Sequence, residues 1–389
     1  MTKIAVAVSA ALLAGSALAA NVDLYGVVNT GFAYTNTRSV EDGAVTKSKS
    51  FSMESGSWSG SRWGLRGSED LGNGYKVGFV LESGFNSDSG TQGQGRLFGR
   101  ESTLYVSGGF GTVYAGRMGS MISDVGSVGW YSGMASPFGT GVGDTEGHAA
   151  VMSVKARVDN AIAYMSPRFG GLQFSVQYAM GDGGTENKSG NDRYWAIGAD
   201  YQAGNLEIGA LIDYTNKRST LLSSTEKESS VESINRDDIA DAVTFNLAAN
   251  YDCGFAKSFI AFQYFKDVSQ LHWHDLDSYY GRDETTNKIN EDRRLDTLKG
   301  FGVNLGVDVP AFGGDFLASV GYGDGDLRNA KKKIGDFKVY SALVGYEYPF
   351  SKRTYVYTSA GYTYEKNKKD SGVKKDKTFQ ALAGLVHKF

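Results

Sequence analysis

The sequence holds one cysteine, Cys253, so no intramolecular disulfide can form, and nothing around it spells a metal or redox motif. There are 4 prolines and 4 histidines in 389 residues. Beyond residue 20 there is no apolar run of about eighteen residues, which excludes a transmembrane helix. With 40 basic and 43 acidic residues, the formal net charge is -3, so there is no basic footprint for nucleic acid. Neither GxSxG nor HExxH occurs, and the glycine-rich stretch GSWSGSR at 56–62 lacks the strand–loop–helix context of a nucleotide loop. The histidines lie in or beside polar stretches, apart from His387, which leaves no convergent Ser-His-Asp set. The expectation is a protein that is not an enzyme and uses no cofactor or metal.

What the sequence has is glycine and aromatic residues: 52 Gly, 23 Tyr and 21 Phe. Lys3, the apolar run from Ile4 to Leu18 and the small-x-small pattern Ala17-Leu18-Ala19 read as a cleaved signal peptide over 1–20. Its loss takes the formal charge from -3 to -4 with Lys3. Residues 21–389 then read as one domain of strands. Period-two alternation recurs: Leu172, Phe174, Val176 and Tyr178 against Gln173, Ser175 and Gln177; Phe301, Val303, Leu305 and Val307 against Gly302, Asn304 and Gly306. Seven short turns (70–74, 108–111, 167–171, 202–205, 252–256, 310–314, 349–353) alternate with eight long polar stretches (36–50, 87–95, 119–150, 182–190, 218–238, 270–296, 327–335, 367–376). That count gives sixteen strands.

Even strand number with short turns on one rim and long loops on the other is the pattern of an all-β, 16-stranded antiparallel transmembrane β-barrel. In lipid both edges of every strand must be paired, so the sheet must close. The final stretch ALAGLVHKF, with Ala381, Ala383, Leu385, His387 and Phe389 on one face, is expected to pair with the first strand near 22–32. A soluble sandwich or a solenoid would account for alternation and glycine. Neither requires the alternation of short and long connections.

Several segments are similar to those of the Gram-negative general porins, of the kind typified by neisserial and Bordetella porins. They are VDLYGVVNTGF (22–32), GSRWGLRGSEDLGNGYKVGFVLESGF (60–85), GFGTVYAGR (109–117), RVDNAIAYMSPRFGGLQFSVQYA (157–179), KRTYVY (352–357) and LVHKF (385–389). The resemblance implies a homotrimer of water-filled barrels in the outer membrane, with short periplasmic turns and long extracellular loops. It implies an inward-folded third loop at about 118–150, and Phe389 and Leu385 as an assembly signal read by the barrel assembly machinery. His387, at an outward position, departs from the usual aliphatic or aromatic.

Residues 118–150 carry three charges, Asp124, Asp144 and Glu146, all acidic. They are expected to face a basic wall. Arg62 and Arg66 alternate with Trp63, Leu65 and Gly67, and an arginine facing lipid at mid-membrane costs about 2–4 kcal/mol. They are therefore expected to line the pore, as are Lys76, Arg100, Arg117 and Arg157. Pairing with Glu82 or Glu101 would instead make the arginines wall stiffeners, and both roles are compatible. Charges of opposite sign across a narrow passage orient polar solutes. The sign of any ion preference is left open.

Tyr178, Tyr214, Tyr251, Tyr346 and Tyr348 fit aromatic girdles. His272-Trp273-His274-Asp275 and His148 read as surface decoration, without a third metal ligand. Lys331–Lys333 and the lysines of 366–377 read as solvated rim within reach of lipopolysaccharide phosphates. The expected function is passive passage of ions and small hydrophilic solutes. The alternatives are a substrate-selective channel for sugars or organic acids, a barrel enzyme, and an adhesin.

Overall fold

The computed structural model describes residues 21–143, 147–181, 192–217, 240–269, 271 and 296–389. Among them are the strands Asn21–Glu41 (β1), Ala44–Ser55 (β2), Arg62–Gly72 (β3), Tyr75–Gly84 (β4), Glu101–Gly108 (β5), Gly111–Gly119 (β6), Arg157–Met165 (β7), Leu172–Ala179 (β8) and Arg193–Ala203 (β9). Then come Leu206–Asn216 (β10), Ala242–Asp252 (β11), Lys257–Val268 (β12), Asp296–Ala311 (β13), Gly314–Asn329 (β14), Lys332–Pro349 (β15), Thr354–Lys369 (β16) and Gly372–Lys388 (β17).

All join one antiparallel sheet that closes between β17 and β1. One side of β1 is shared: Thr30–Glu41 pairs with β2 and Asn21–Val27 with β3. β2 and β3 are therefore a single stave interrupted at 56–61, and the barrel has sixteen staves. At the seam, Phe389 N–H donates to Gly26 O at 3.0 Å and Gly26 N–H donates to Phe389 O at 3.1 Å.

The two faces of the sheet have inverted polarity. Leu104, Ile197, Leu247, Ile260, Leu305 and Val320 are exposed on the outside. Asn29, Asn246, Gln263, Asn304 and Gln380 are buried on the inside. An apolar exterior around a polar interior is the arrangement of a barrel whose outer solvent is lipid. Among the described residues, no helix is long and apolar enough to cross a membrane.

Three stretches expected as long loops are strands with tight tips. Asp42-Gly43 joins β1 to β2 with both φ angles positive (47° and 89°), the type I′ geometry of a two-residue hairpin. Ala330-Lys331 joins β14 to β15, and residues 370–371 join β16 to β17. Outside the apolar band a strand has water on both faces, so Ser, Thr and Lys continue the ladder where composition alone suggests a loop. The 119–150 connection extends over 120–156. Most of 182–190, 218–238 and 270–296 lies outside the described residues.

Candidate functional site

The connection between β6 and β7 is built from small and apolar residues, and it packs on the inner face of the sheet. Met118, Met121, Ile122, Tyr131, Val151 and Met152 are buried in a cluster with Ala196, Leu211, Ala261, Phe265, Phe337 and Val339. A fully buried side chain of this size contributes about 1.5–3 kcal/mol. The short helix Tyr131–Ala135 (α1) is tied down by polar contacts. Tyr131 Oη donates to the carbonyls of Leu247 (3.1 Å) and Phe262 (3.3 Å), and Asn304 Nδ2 donates to Ala135 O at 3.3 Å. Gln263 exchanges two hydrogen bonds with the Ser153 backbone, at 2.6 and 2.9 Å.

Glycines make the close approach possible. A Cβ on Gly302 would lie 2.0 Å from Val151 O, and one on Gly209 would lie 2.6 Å from the Trp130 ring. His148 is fully buried rather than on the surface, with Nε2 3.2 Å from Ser132 Oγ. The turn Gly147–Ala150 carries it inward beside buried Ala149 and Val151. Burial pushes its imidazole down to about 4, so it is neutral.

Between this connection and β1–β5 is a cavity of about 640 Å³. Its charged lining is Arg62, Arg66 and Arg100 against Glu82, Glu101 and Asp124, three of each sign. Glu82 stands between two arginines: Arg100 Nε is 2.7 Å from Oε1 and Arg62 Nε is 3.6 Å from Oε2. Tyr25 Oη also donates to Glu82, at 3.0 Å. Glu101 reaches the connection, accepting from Ser127 N–H at 3.1 Å. Asp124 accepts from Thr140 N–H (3.2 Å) and Thr140 Oγ1 (2.8 Å) and so closes a turn of the connection on itself. Burial, the dominant influence, raises the Asp124 carboxyl, against the two Thr140 bonds and Arg157.

Of the expected basic residues, Arg62, Arg66 and Arg100 line the cavity. Arg66 also lies over the Tyr25 ring at 5.1 Å and 3.6 Å from Asp23. Arg157 is buried beside them, its Nε donating to Arg100 O at 2.9 Å. Lys76 shares the inner face of β4 but sits at its turn end, opposite Asp70 and Ser107. Arg117 is placed elsewhere: it pairs with Ser102 on the outer face that also carries exposed Leu104. The register shift after Gly116 and the positive φ of Asn160 (51°) bring Asp159 to Arg117 (2.6 Å) and Arg96 (2.7 Å), not to Arg157.

Asp144 and Glu146 lie outside the described residues, as does His272-Trp273-His274-Asp275. Among the described residues no cluster of His, Cys, Asp and Glu could hold a metal. Cys253 is exposed in a short turn. Phe389 and Leu385 are both exposed on the outer face of the seam.

Of the cavity residues, Tyr25 and Trp58 are not assigned to the pore by the sequence, and Glu82 enters there only as a possible partner of the arginines. The signal for Glu82 was present, because the alternation that turns Lys76 inward also turns residue 82 inward in an otherwise apolar stave. Trp58, in the break between β2 and β3, stacks on Tyr357 at 5.0 Å and meets Phe138 edge-on at 5.9 Å.

The family model described as Gram-negative porin matches residues 5–370. An outer membrane porin protein of Bordetella pertussis is 30% identical, covering 98% of both chains. The major outer membrane protein P.IB of Neisseria lactamica is 28% identical over all of both chains. Near-equal identity to both gives the family and not either branch. Among solved structures, the anion-selective porin from Comamonas acidovorans aligns with a TM-score of 0.65 at 24% identity, covering 95% of this chain and 100% of that one. The outer membrane channel DcaP of Acinetobacter baumannii aligns with a TM-score of 0.59 at 17% identity, covering 96% and 99%. These two likenesses speak to fold alone.

Proposed function

This chain belongs to the family of Gram-negative porins, and on that premise we propose that it is a general diffusion channel. A porin-type β-barrel channel in the outer membrane of a Gram-negative bacterium is what fold and family give together. In our reading, ions and small hydrophilic solutes cross passively through a water-filled passage, without catalysis.

The constriction is the 120–156 connection, folded into the barrel. The single observation that carries this is the cavity left between that connection and the β1–β5 wall, bounded by three arginines and three carboxylates. Arg62, Arg66 and Arg100 line the passage, and Arg157 supports it from behind. A passage bounded by fixed charges of both signs favours hydrated, polar solutes over apolar ones. The seven short turns face the periplasm and the long connections face outward. The barrels assemble as a homotrimer, and Phe389 with Leu385 forms the signal read by the barrel assembly machinery.

The test is swelling of liposomes holding the folded protein, in sugars and amino acids of graded size. A general channel gives rates that fall smoothly with solute size and do not saturate. Tyr25, Trp58, Phe85 and Phe138 also line the cavity, and they favour a second reading, a channel selective for sugars or organic acids. Saturable passage of one solute class, blocked by its own members, would establish that reading and overturn the first.

A further inference from the structure

The stave made of β2 and β3 holds more chain than its neighbour can pair. Thr30 of β1 pairs with Ser55 and Val27 with Arg62, so six residues, 56–61, stand opposite two, Val28 and Asn29. An ordinary bulge carries about one extra residue. Six against two leaves four, and they must leave the sheet. Outward, they would set unpaired backbone groups among exposed apolar side chains such as Phe32 and Leu385, where lipid offers no hydrogen bonds. The segment turns inward instead. Asn29, fully buried, holds the gap: its backbone N–H donates to Ser61 Oγ at 3.0 Å, and its carbonyl accepts from Gly56 N–H at 3.1 Å.

The inserted segment reaches two other parts of the lumen. Trp58 crosses to β15 and β16: its indole stacks on Tyr357 at 5.0 Å and donates through Nε1 to Glu347. The wall is cut away to receive it, because a Cβ on Gly345 would lie 2.6 Å from the indole and 3.0 Å from the Phe138 ring. The 120–156 connection closes on the segment from the other side. Gly143 N–H donates to Ser57 O at 3.1 Å, and Phe138 meets the indole edge-on at 5.9 Å. Phe138 and Val142 are buried here in a cluster with Leu343, Tyr357 and Leu382, separate from the cluster that holds Tyr131 and Met152. Five of the six residues of the break, all but Ser57, line the cavity.

We propose that the break at 56–61 is a second inward-folded constriction element, and that Trp58 sets the size limit of the passage. The indole fills the space between the connection and the β15–β16 wall, so solutes are confined to the side of the connection that faces β1–β5. The inference rests on the channel reading and adds to the connection a second boundary, supplied by the wall itself. A tryptophan suits this position. It is large and rigid, its N–H has a partner in Glu347, and aromatic contacts with Tyr357 and Phe138 hold it in place. The glycine at 345 and the surplus chain at 56–61 then have one explanation: the first makes the seat for the indole and the second supplies the reach.

The test uses the folded protein, with liposome swelling in neutral sugars of graded size and single-channel conductance in a planar bilayer. Trp58→Ala is expected to raise conductance about 1.3-fold or more, and to raise the swelling rate in a trisaccharide relative to a monosaccharide about twofold or more. Trp58→Phe, which keeps a ring against Tyr357, is expected to stay near the wild-type ratio. Trp58→Cys, made together with Cys253→Ser, is expected to open the passage as Trp58→Ala does. Capping its thiol with a benzyl group is expected to narrow it again, which a general loosening of the fold would not do. Trp58→Leu serves, with a smaller gain, if Trp58→Ala does not fold. Wild-type size dependence in the Ala and Leu variants, a Trp58→Phe channel as open as Trp58→Ala, or a benzyl cap that leaves the Cys variant open overturns the proposal. With a conducting wild type, those results leave the channel reading standing. A folded wild type that does not conduct overturns both.

Discussion

Glu82→Gln is the most informative single change in the cavity. It keeps the side chain's shape and its place between Arg62 and Arg100, and removes one negative charge. The charged lining then goes from three arginines against three carboxylates to three against two. A unit charge about 5 Å from a passing ion acts with about 0.8 kcal/mol in water, and about 0.5 kcal/mol after screening at about 0.1 M salt. That is a factor of about two for each ion sign, in opposite directions, so the anion-to-cation permeability ratio rises about fivefold. The assay is the reversal potential of single channels in a planar bilayer under a salt gradient. A ratio unchanged within about twofold, or a shift toward cations, refutes the placement of Glu82 and its arginines on the conduction path.

Three other outcomes are expected. Gly302→Val forces the connection off β13, because its Cβ would lie 2.0 Å from Val151 O; the overpacking costs about 1–3 kcal/mol, read as a lower melting temperature together with altered channel conductance. His148 is neutral in the fold, and its depressed pKa means that stability is complete above 6.5 and is lost as pH falls through about 4, a loss of about 3 kcal/mol; limited proteolysis of the connection is expected to speed up over that window, and His148→Gln is expected to remove the pH dependence. Gly26→Val brings a side chain into the Phe389 ring, whose Cζ lies 2.3 Å from the position of an added Cβ; the yield of folded, heat-modifiable barrel is expected to fall, as it is for Phe389→Ala.

Alternation gave the faces of the staves, because lipid on one side and water on the other repeat every two residues. It turned Arg62, Arg66 and Glu82 inward, and the cavity holds all three. It did not give height along a stave: Lys76 has the right face and the wrong end, beside Asp70. Followed strictly, it turns Arg117 outward with Val113 and Ala115, and only the register shift between β6 and β7, which alternation does not show, brings Asp159 to it. The hairpins around Asp42 and Ala330 were hidden because a strand standing in water needs no apolar face. The break at 56–61, which brings Trp58 to Tyr357 and Phe138, leaves no mark in composition beyond a run of Ser and Gly. The fit of the connection lies in long-range pairs such as Gly302 with Val151. In the sequence these are inner-face glycines and small loop residues without an address.

Single-channel conductance of the folded, signal-free protein in a planar bilayer tests the channel most directly. Large ohmic steps grouped in threes are predicted for an open trimeric porin with the passage beside β1–β5. A demonstrably folded barrel that conducts no ions would contradict the channel reading.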